Sequence, residues 1–303
     1  MSRLSNQLVA TMLAQKISPQ PFEALVDAAL REDLGSGLDA TTVATIPANQ
    51  IATAQFNARK SGVVAGLFAA QAVLEIAGNS AIKFGKQISE GSKVEAGQLI
   101  FEATGKVTDL LLAERTALNF LSRLSGIATT SSIWVEAVKS TNCVVRDTRK
   151  TTPGWREIEK FAVRMGGATN HRMNLSDAAL IKDNHIAATG SIANAINDVR
   201  SKFPNLSIEV EIDHLDQMEE AIAGKVDLIL LDNMSPDQCE LAVKQCAGRT
   251  KLEASGGITL ENARDYAMSG VDFIAIGALT HSAAILDIGL DLKVKGESHV
   301  VNN

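Results

Sequence analysis

The stretch IEVEIDHLDQMEEAIAGKVDLILLD, residues 208–232, decides the fold class. It contains two short apolar runs, 208–212 and 228–231, separated by an amphipathic helical segment. Similar runs occur at 143–146, 178–181, 251–254 and 273–276, and each is followed by a helical pattern. From Glu211 the strand ends recur at Asp232, Ser255 and Gly277, with spacings of 21, 23 and 22 residues. This spacing is typical of a short β-loop-α-loop unit in a parallel fold.

The recurrence predicts an incomplete α/β barrel. Its six units occupy about 150 residues, whereas a closed eight-unit barrel typically takes about 250 residues. A doubly wound open sheet is the structural alternative, and no G-x-G-x-x-G motif follows the first strand to support it. The preceding part of the chain, residues 21–139, mixes helices with short strands in the α+β manner.

The composition disfavours several classes of function. The formal net charge is -6, which disfavours a general nucleic-acid surface because such a surface needs a cationic excess. No apolar stretch approaches the ~20 residues of a membrane helix, and residues 1–18 have the pattern of a helix rather than of a targeting peptide. Cys143, Cys239 and Cys246 fit no metal spacing and predict buried or helix-surface thiols in a reducing cytoplasm.

Polar residues or glycines follow all six strands. The reacting groups of a parallel barrel lie at the carboxyl ends of its strands. Glu209, Glu211 and Asp213 alternate along one strand face, and buried charges of this kind need partners. An internal ion pair is the simpler interpretation for Glu209 alone, whereas six such ends in succession favour a functional site.

Residues 146–182 carry eight basic and four acidic side chains, a local charge of +4 against -10 for the rest of the chain. Four of the cations fall in loops or at strand ends: Arg149, Lys150, Arg172 and Lys182. Fixed cations of this kind predict a polyanionic ligand. The spacing of Arg156, Lys160 and Arg164 predicts a solvated helix face instead.

Ser255-Gly256-Gly257 and Gly277-Ala278 follow the last two strands. Glycines allow backbone N–H groups to approach an anion, and barrels commonly hold phosphate after their last strands. A tight turn would explain the glycine pair equally well, but its position favours a phosphate site.

Longer motifs resemble those of a known family. They are RDTRKTTPG (146–154), GG (166–167), NHR (170–172), DAALIKDNH (177–185), EVEID (209–213), LDN (231–233), EASGGI (253–258), GALTHS (277–282) and LDIGLD (286–291), with EDLG (32–35), Asp39, Thr41-Thr42 and ERTALN (114–119) upstream. This set resembles the quinolinate phosphoribosyltransferases, also called nicotinate-nucleotide pyrophosphorylases (carboxylating). The resemblance covers nearly the whole chain, and block 146–185 is its most specific part.

The resemblance implies an N-terminal α/β sandwich domain, residues 1–124, followed by an incomplete seven-stranded α/β barrel, residues 125–303. Residues 285–303 are expected to pack back on the first domain, and the seventh strand is not evident from the sequence. The implied reaction joins quinolinate to 5-phosphoribosyl 1-pyrophosphate (PRPP), giving nicotinate mononucleotide, pyrophosphate and carbon dioxide in de novo NAD biosynthesis. The implied enzyme is a cytoplasmic homodimer that uses Mg²⁺.

The resemblance also implies roles for individual residues, with cations clamping the two quinolinate carboxylates and Lys150 meeting PRPP. Glu211 and Asp232 would serve the ribose hydroxyls and the Mg²⁺ shell, and Arg115 would reach the neighbouring subunit's site. The expected substrate contacts are Arg115, Thr148, Arg149, Lys150, His171, Arg172, Lys182, Glu211, Asp232, Ser255, Gly256, Gly257, Ile276, Gly277 and Ala278. The expected catalytic residues are Lys150, Lys182, Glu211 and Asp232.

Three alternatives remain open from the sequence. They are a different substrate on the same scaffold, a Schiff-base aldolase using Lys182, and a non-catalytic nucleotide-binding subunit. His171 could instead cap a turn, and His185 and His281 are expected to support other site residues or to be structural, rather than to carry protons. No two histidines have a metal-ligand spacing, so we expect no tightly held transition metal.

Overall fold

The computed structural model describes residues 2–79 and 81–294, which form two compact units. Unit 1 comprises the described residues up to Thr130, the segment Thr152–Gly166 and residues 283–294. Unit 2 comprises Ser131–Thr151 and Gly167–Ser282. Within the described ranges, no helix has the length and apolar character needed to cross a membrane.

Unit 1 is built on a four-stranded antiparallel sheet of order β12-β1-β5-β3. Its strands are β1 (Ile51–Ala58), β3 (Lys83–Gln87), β5 (Leu99–Lys106) and β12 (Ile288–Val294), and a short ladder joins β2 (Gly62–Val63) to β4 (Lys93–Val94). The helices are α1 (Asn6–Ala14), α2 (Pro19–Leu34), α3 (Ala40–Thr45), α4 (Leu67–Ala77), α6 (Arg156–Met165) and the first part of α5 (Val107–Val138).

The core of unit 1 follows from alternation along its strands. Every second residue of β1, from Ala52 to Ala58, is buried, as expected for a strand with one face on a core. The Phe56 ring stacks on that of Phe101 at 4.1 Å between centroids. β12 pairs with β1 over its whole length, so the described part of the predicted C-terminal return belongs to unit 1. Residues 295–303 of that prediction lie outside the described residues.

Helix α6 belongs to unit 1, so this unit is built from separate segments of the chain. The predicted domains, 1–124 and 125–303, are each continuous instead. The reason is aromatic packing: the Phe161 ring meets Phe68 edge-on at 5.2 Å, and Trp155 stacks on Phe120 at 4.7 Å. The predicted solvated face of α6 is wrong for Lys160, which is fully buried. Charges at helical spacing can face a protein interior when that interior supplies partners.

Unit 2 contains a six-stranded parallel sheet of order β6-β11-β10-β9-β8-β7. Its strands are β6 (Val144–Arg146), β7 (Ala179–Ile181), β8 (Ile208–Ile212), β9 (Leu228–Asp232), β10 (Lys251–Ser255) and β11 (Phe273–Ala275). The helices that follow these strands are α7 (Asp183–Thr189), α8 (Ile192–Lys202), α9 (Met218–Ala223), α10 (Pro236–Cys246), α11 (Ala263–Met268) and α12 (Ala278–His281). The predicted α/β class and all six predicted strands are confirmed.

A seventh parallel segment is present as a single bridge. Thr169 pairs with Arg146 in parallel orientation, and two backbone hydrogen bonds of 2.9 and 3.1 Å hold Thr169 beside β6. It therefore extends the sheet on the β6 side. Six strands and one bridge agree with the predicted seven-stranded, incomplete barrel, whose curvature stays a prediction.

The three cysteines are buried and free, as the sequence predicts. Burial raises the pKa of Cys143 to about 12 and that of Cys239 to about 11. Thiols with such pKa values carry little thiolate at neutral pH, so they are poor nucleophiles. They are structural side chains rather than candidates for catalysis.

Candidate active site

The carboxyl ends of the unit 2 strands surround a cavity of about 540 Å³. Its lining residues all belong to unit 2. Every predicted contact residue except Arg115 lines it: Thr148, Arg149, Lys150, His171, Arg172, Lys182, Glu211, Asp232, Ser255, Gly256, Gly257, Ile276, Gly277 and Ala278. The sequence prediction thus located one cavity, while the role of each residue within it stays a prediction.

Lys182 and Glu211 form an ion pair at the wall of this cavity. Lys182 directly follows β7, and its ammonium group donates a hydrogen bond to the carboxylate of Glu211 in the adjacent strand β8. Burial raises the pKa of Glu211; the ammonium of Lys182 opposes that rise, and the charge of Asp232 adds to it. The cavity therefore places a cation beside two carboxylates that repel each other.

Arg149 and Arg172 add fixed positive charge. Burial lowers the pKa of Arg172, and the charge of Arg149 lowers it further. Arg172 is held in place because its Nη1 donates to the carbonyl oxygen of Ala178 at 2.8 Å. Two guanidinium groups that repel each other at a cavity wall favour an anionic ligand.

The loop that carries Lys150 is fixed at two points. The Lys150 N–H donates to the hydroxyl of Thr148 at 3.0 Å, and the hydroxyl of Thr280 donates to the Lys150 carbonyl at 2.8 Å. A Cβ added to Gly277 would lie 3.0 Å from Cδ of Lys150 and 3.1 Å from Nε2 of His281. The Lys150 side chain therefore passes directly over the Gly277 turn.

A layer of charged groups lies buried below the cavity mouth. Arg146 pairs with Glu253 at 2.7 Å, and Nε2 of His171 lies 2.9 Å from a carboxylate oxygen of Glu209. Burial raises the pKa of Glu253, and the charge of Glu209 adds to the rise. Arg146, Glu253 and Glu209 come from the alternate strands β6, β10 and β8, the layering typical of a parallel α/β barrel. Glu209 therefore has an internal partner in His171.

Six lining residues were not predicted as contacts: Leu180, Leu230, Glu253, Ile258, Ala275 and His281. Leu180, Leu230 and Glu253 each lie two residues before a predicted strand-end residue, so strand alternation places them on the same face. That signal was available in the sequence. His281, expected to be structural, reaches the cavity because α12 is only four residues long and brings it back toward Gly277.

The glycine turn after β10 tolerates no side chain at Gly256. Its φ is +89°, and an added Cβ would lie 2.1 Å from Oδ1 of Asn233. Asn233 in turn donates to the carboxylate of Asp232 at 2.7 Å. A side chain at this position would thus displace a neighbour of Asp232.

We expect Gly256→Ala to destabilise the protein more than Gly248→Ala. Both glycines have positive φ, but no described atom beyond the two adjacent residues lies within 4 Å of a Cβ added to Gly248. The backbone cost of roughly 1–2 kcal/mol is common to both, and overpacking adds about 1–3 kcal/mol for Gly256. The free energy of unfolding in urea measures the difference, and equal losses would contradict the steric argument.

Arg115 lies elsewhere, exposed on α5 in unit 1. It borders a separate cavity of about 290 Å³ together with Leu118, Asn119, Ser122, Ile285, Asp287 and Ile288. Its predicted reach into a neighbouring subunit's site stays a prediction.

Comparison with known proteins gives consistent matches. The quinolinate phosphoribosyl transferase C-terminal domain model matches residues 127–291, and the N-terminal domain model matches residues 39–125. The nicotinate-nucleotide pyrophosphorylase [carboxylating] of Mycobacterium leprae is 47% identical over 283 residues, which cover 91% of this chain and 100% of that protein.

Solved structures agree with these sequence matches. NadC from Streptococcus pyogenes superposes with a TM-score of 0.87 at 42% identity, over 92% of this chain and 98% of that one. The nicotinate-nucleotide pyrophosphorylase from Francisella tularensis gives 0.87 at 37% identity, over 91% and 98%. Because both family domains match in order and a relative of this similarity aligns over its full length, the chain belongs to the quinolinate phosphoribosyltransferase family.

Proposed function

We propose that this chain transfers the phosphoribosyl group of PRPP to the ring nitrogen of quinolinate and releases pyrophosphate and carbon dioxide, leaving nicotinate mononucleotide. The proposal places it in de novo NAD biosynthesis. The observation that carries it is that one cavity is lined both by the cations Arg149, Arg172 and Lys182 and by the carboxylates Glu211 and Asp232. Two polyanionic substrates need the first, and a cationic transition state needs the second.

The three cations suit quinolinate because that molecule carries two carboxylates on adjacent ring carbons. Arginine offers paired donors to a carboxylate, whereas lysine acts as a point charge. Arg149 and Arg172 would hold the carboxylates. The Lys182 ammonium, at the end of β7, would help to orient the ring. Leu180 and Leu230 add apolar surface in the same cavity, which suits the faces of an aromatic ring.

The other lining residues suit PRPP. Lys150 would pair with the pyrophosphate, and the turns at 255–257 and 277–278 would bind the 5'-phosphate through backbone N–H groups. Glu211 and Asp232 would accept hydrogen bonds from the ribose hydroxyls. Their carboxylate oxygens are also the donors that Mg²⁺ prefers, so these two residues would hold the ion. Burial raises the pKa of Glu211 and the charge of Asp232 adds to that rise, so a nearby cation would favour the charged form of both groups. When bound, Mg²⁺ would neutralise charge on the pyrophosphate.

The residues present account for the chemical steps. The quinolinate nitrogen forms a bond to the anomeric carbon as the bond to pyrophosphate breaks and its electron pair leaves with the pyrophosphate. Glu211 and Asp232 stabilise the positive charge that develops on the ribose ring. The 2-carboxylate then leaves as carbon dioxide. The electron pair of the broken bond stays on carbon 2, where the adjacent positively charged pyridinium nitrogen stabilises it, and this carbon then takes a proton.

The assembly and compartment form part of the same proposal. A homodimer in which Arg115 of one subunit completes the other subunit's site would give the exposed Arg115 a function. Three buried, free cysteines support a reducing cytoplasm as its location. Neither nucleic acid nor a membrane is needed as a partner for this chemistry.

The aldolase alternative fits the geometry less well. A Schiff-base lysine must present a free nitrogen lone pair. The Lys182 nitrogen instead donates a hydrogen bond to Glu211 as an ammonium group. The ion pair favours a binding role for Lys182.

Substrate exchange tests the proposed function. With PRPP and Mg²⁺, quinolinate labelled at the 2-carboxylate is expected to release labelled carbon dioxide and pyrophosphate in equal amounts. Nicotinate is the matched control, since it lacks that carboxylate, and it should give at most slow turnover. Turnover of neither pyridine, or a preference for nicotinate, would refute the proposal.

A further inference from the structure

The ring nitrogens of His171 have different partners. Nδ1 accepts a hydrogen bond from the backbone N–H of Arg172 at 2.8 Å. Nε2 lies 2.9 Å from a carboxylate oxygen of Glu209 and 3.4 Å from one of Glu253. A nitrogen that accepts a hydrogen bond carries no proton, so the ring proton is on Nε2 and points at the carboxylates. His171 is therefore a neutral imidazole in this geometry.

The carboxylates around Nε2 are deeply buried. Glu253 is 0% exposed and Glu209 is 5% exposed. Arg146 neutralises Glu253 through the 2.7 Å ion pair and also lies over the Phe273 ring at 4.3 Å. Buried carboxylates are costly unless they are paired, and Glu209 has two partners: the His171 N–H and the charge of Arg172. Glu209 and His171 hold each other in place.

The main chain on the other side of the ring is equally constrained. The buried carboxylate of Asp147 accepts the N–H of His171 at 2.8 Å and the side-chain amide of Asn170 at 2.6 Å. With the backbone of His171 held by Asp147, the hydrogen bond to Nδ1 links the orientation of the imidazole to the position of the Arg172 N–H. Arg172 lines the cavity, so a change at Glu209 would be passed through the ring to a cavity residue.

We propose that Glu209 is a positioning residue: by accepting the Nε2 proton, it holds His171 as the neutral Nε2–H tautomer, and through the Nδ1 contact it sets the position of Arg172 in the dicarboxylate site. His171 then contributes orientation rather than charge or a proton, and the site's positive charge comes from Arg149, Arg172 and Lys182. The kinetic part of this inference rests on the proposed function. The tautomer part does not.

The same three groups raise the question of a metal ion. The ligand atoms of His171, Glu209 and Glu253 lie within 4.8 Å of one another. A metal on Nε2 would replace the proton there, and the Arg146 guanidinium already occupies the other oxygen of Glu253. Bound metal is therefore an outcome that would overturn the inference.

The tautomer is tested directly by ¹⁵N NMR of histidine-labelled enzyme at neutral pH without substrates. We expect the signals of an imidazole with Nε2 protonated and Nδ1 unprotonated that disappear in His171→Gln. His185, whose Nδ1 accepts the Lys182 N–H at 2.9 Å, is expected to give the same tautomer and to keep its signals in that variant. A doubly protonated His171, a proton on Nδ1, or a metal that survives chelation and is lost in Glu253→Gln would each overturn the inference.

A matched pair of variants tests the positioning role. Glu209→Gln keeps an oxygen that can accept the Nε2 proton, whereas Glu209→Leu removes it. We expect Glu209→Leu to raise the KM for quinolinate by about tenfold or more, the size of one lost hydrogen bond to a charged group. The KM for PRPP should change by less than about threefold, and Glu209→Gln should restore most of the loss.

The failures are distinguishable. If the wild-type enzyme does not turn over quinolinate, the proposed function fails, while the NMR experiment still decides the tautomer. If the enzyme is active but both Glu209 variants are equally impaired, or both KM values rise together, the positioning role is refuted. Thermal melting of each variant identifies a loss that is due to unfolding alone, and in that case the NMR signature of Glu209→Gln decides.

Discussion

Lys182→Ala is expected to lower kcat/KM for quinolinate by roughly 10²–10³-fold, the range found when one electrostatic group is removed from an active site. Two effects act together. The variant loses the cation that is proposed to face the substrate dianion, and it leaves the half-buried Glu211 carboxylate without its ion-pair partner. An uncompensated carboxylate beside the quinolinate site then repels the substrate.

The same variant is expected to change the pH profile in a defined direction. Lys182 lowers the pKa of Glu211 against the effect of burial, so its removal lets that pKa rise further. If Glu211 acts as a carboxylate, activity is lost as the pH falls through this pKa. The acid limb of kcat/KM should therefore move to higher pH in Lys182→Ala.

Lys202→Ala is the matched control, since Lys202 is exposed at the end of α8 and lies outside the cavity. We expect this variant to keep both the activity and the pH profile of the wild type. A loss of activity in Lys182→Ala with no movement of the acid limb would contradict the coupling to Glu211. Normal activity in Lys182→Ala would contradict the proposed substrate site itself.

The parallel sheet was predictable because its strands are short, apolar and regularly spaced. β8, β9 and β10 occur where the repeat places them, and their carboxyl ends carry Glu211, Asp232 and Ser255 at one cavity. In a parallel sheet, strand ends must meet at one edge. The sequence pattern alone therefore predicts where the site lies.

The seventh segment was not predictable from the pattern. Its pairing consists of one bridge at Thr169, and a single residue has no periodicity that a sequence can show. The same limit applies to α6, where the spacing of charges indicates an exposed face. Lys160 is buried instead, because the packing of Trp155 and Phe161 decides which side of the helix faces the core.

The buried layer beneath the cavity required tertiary information. Glu253 lies in the middle of the strand KLEAS, where the sequence indicates only an alternating strand. Its partner Arg146 is 107 residues away. Local patterns identify which face a side chain occupies but not which charge from another strand neutralises it. The motif resemblance implies His171 as a substrate contact, whereas the contact between its Nε2 and Glu209 is evident only from the structure.

Mixing two inactive variants is expected to restore activity if the site is shared between subunits. Arg115→Ala and Lys182→Ala should each have roughly 1% of wild-type activity or less, by the same electrostatic argument. In a mixed dimer, one site would combine an intact Lys182 with an intact Arg115 from the other subunit. Random association makes half of the dimers mixed, each with one complete site, so about a quarter of wild-type activity should return.

The matched control is a mixture of Lys182→Ala with Glu211→Ala. These two residues line the same cavity of unit 2 in a single chain, so no mixed dimer contains a complete site and activity should stay at the parental level. Both mixtures require unfolding and joint refolding, followed by assay and by measurement of the oligomeric state. Recovery in both mixtures, or in neither while dimers form, would refute a site that Arg115 completes across the interface.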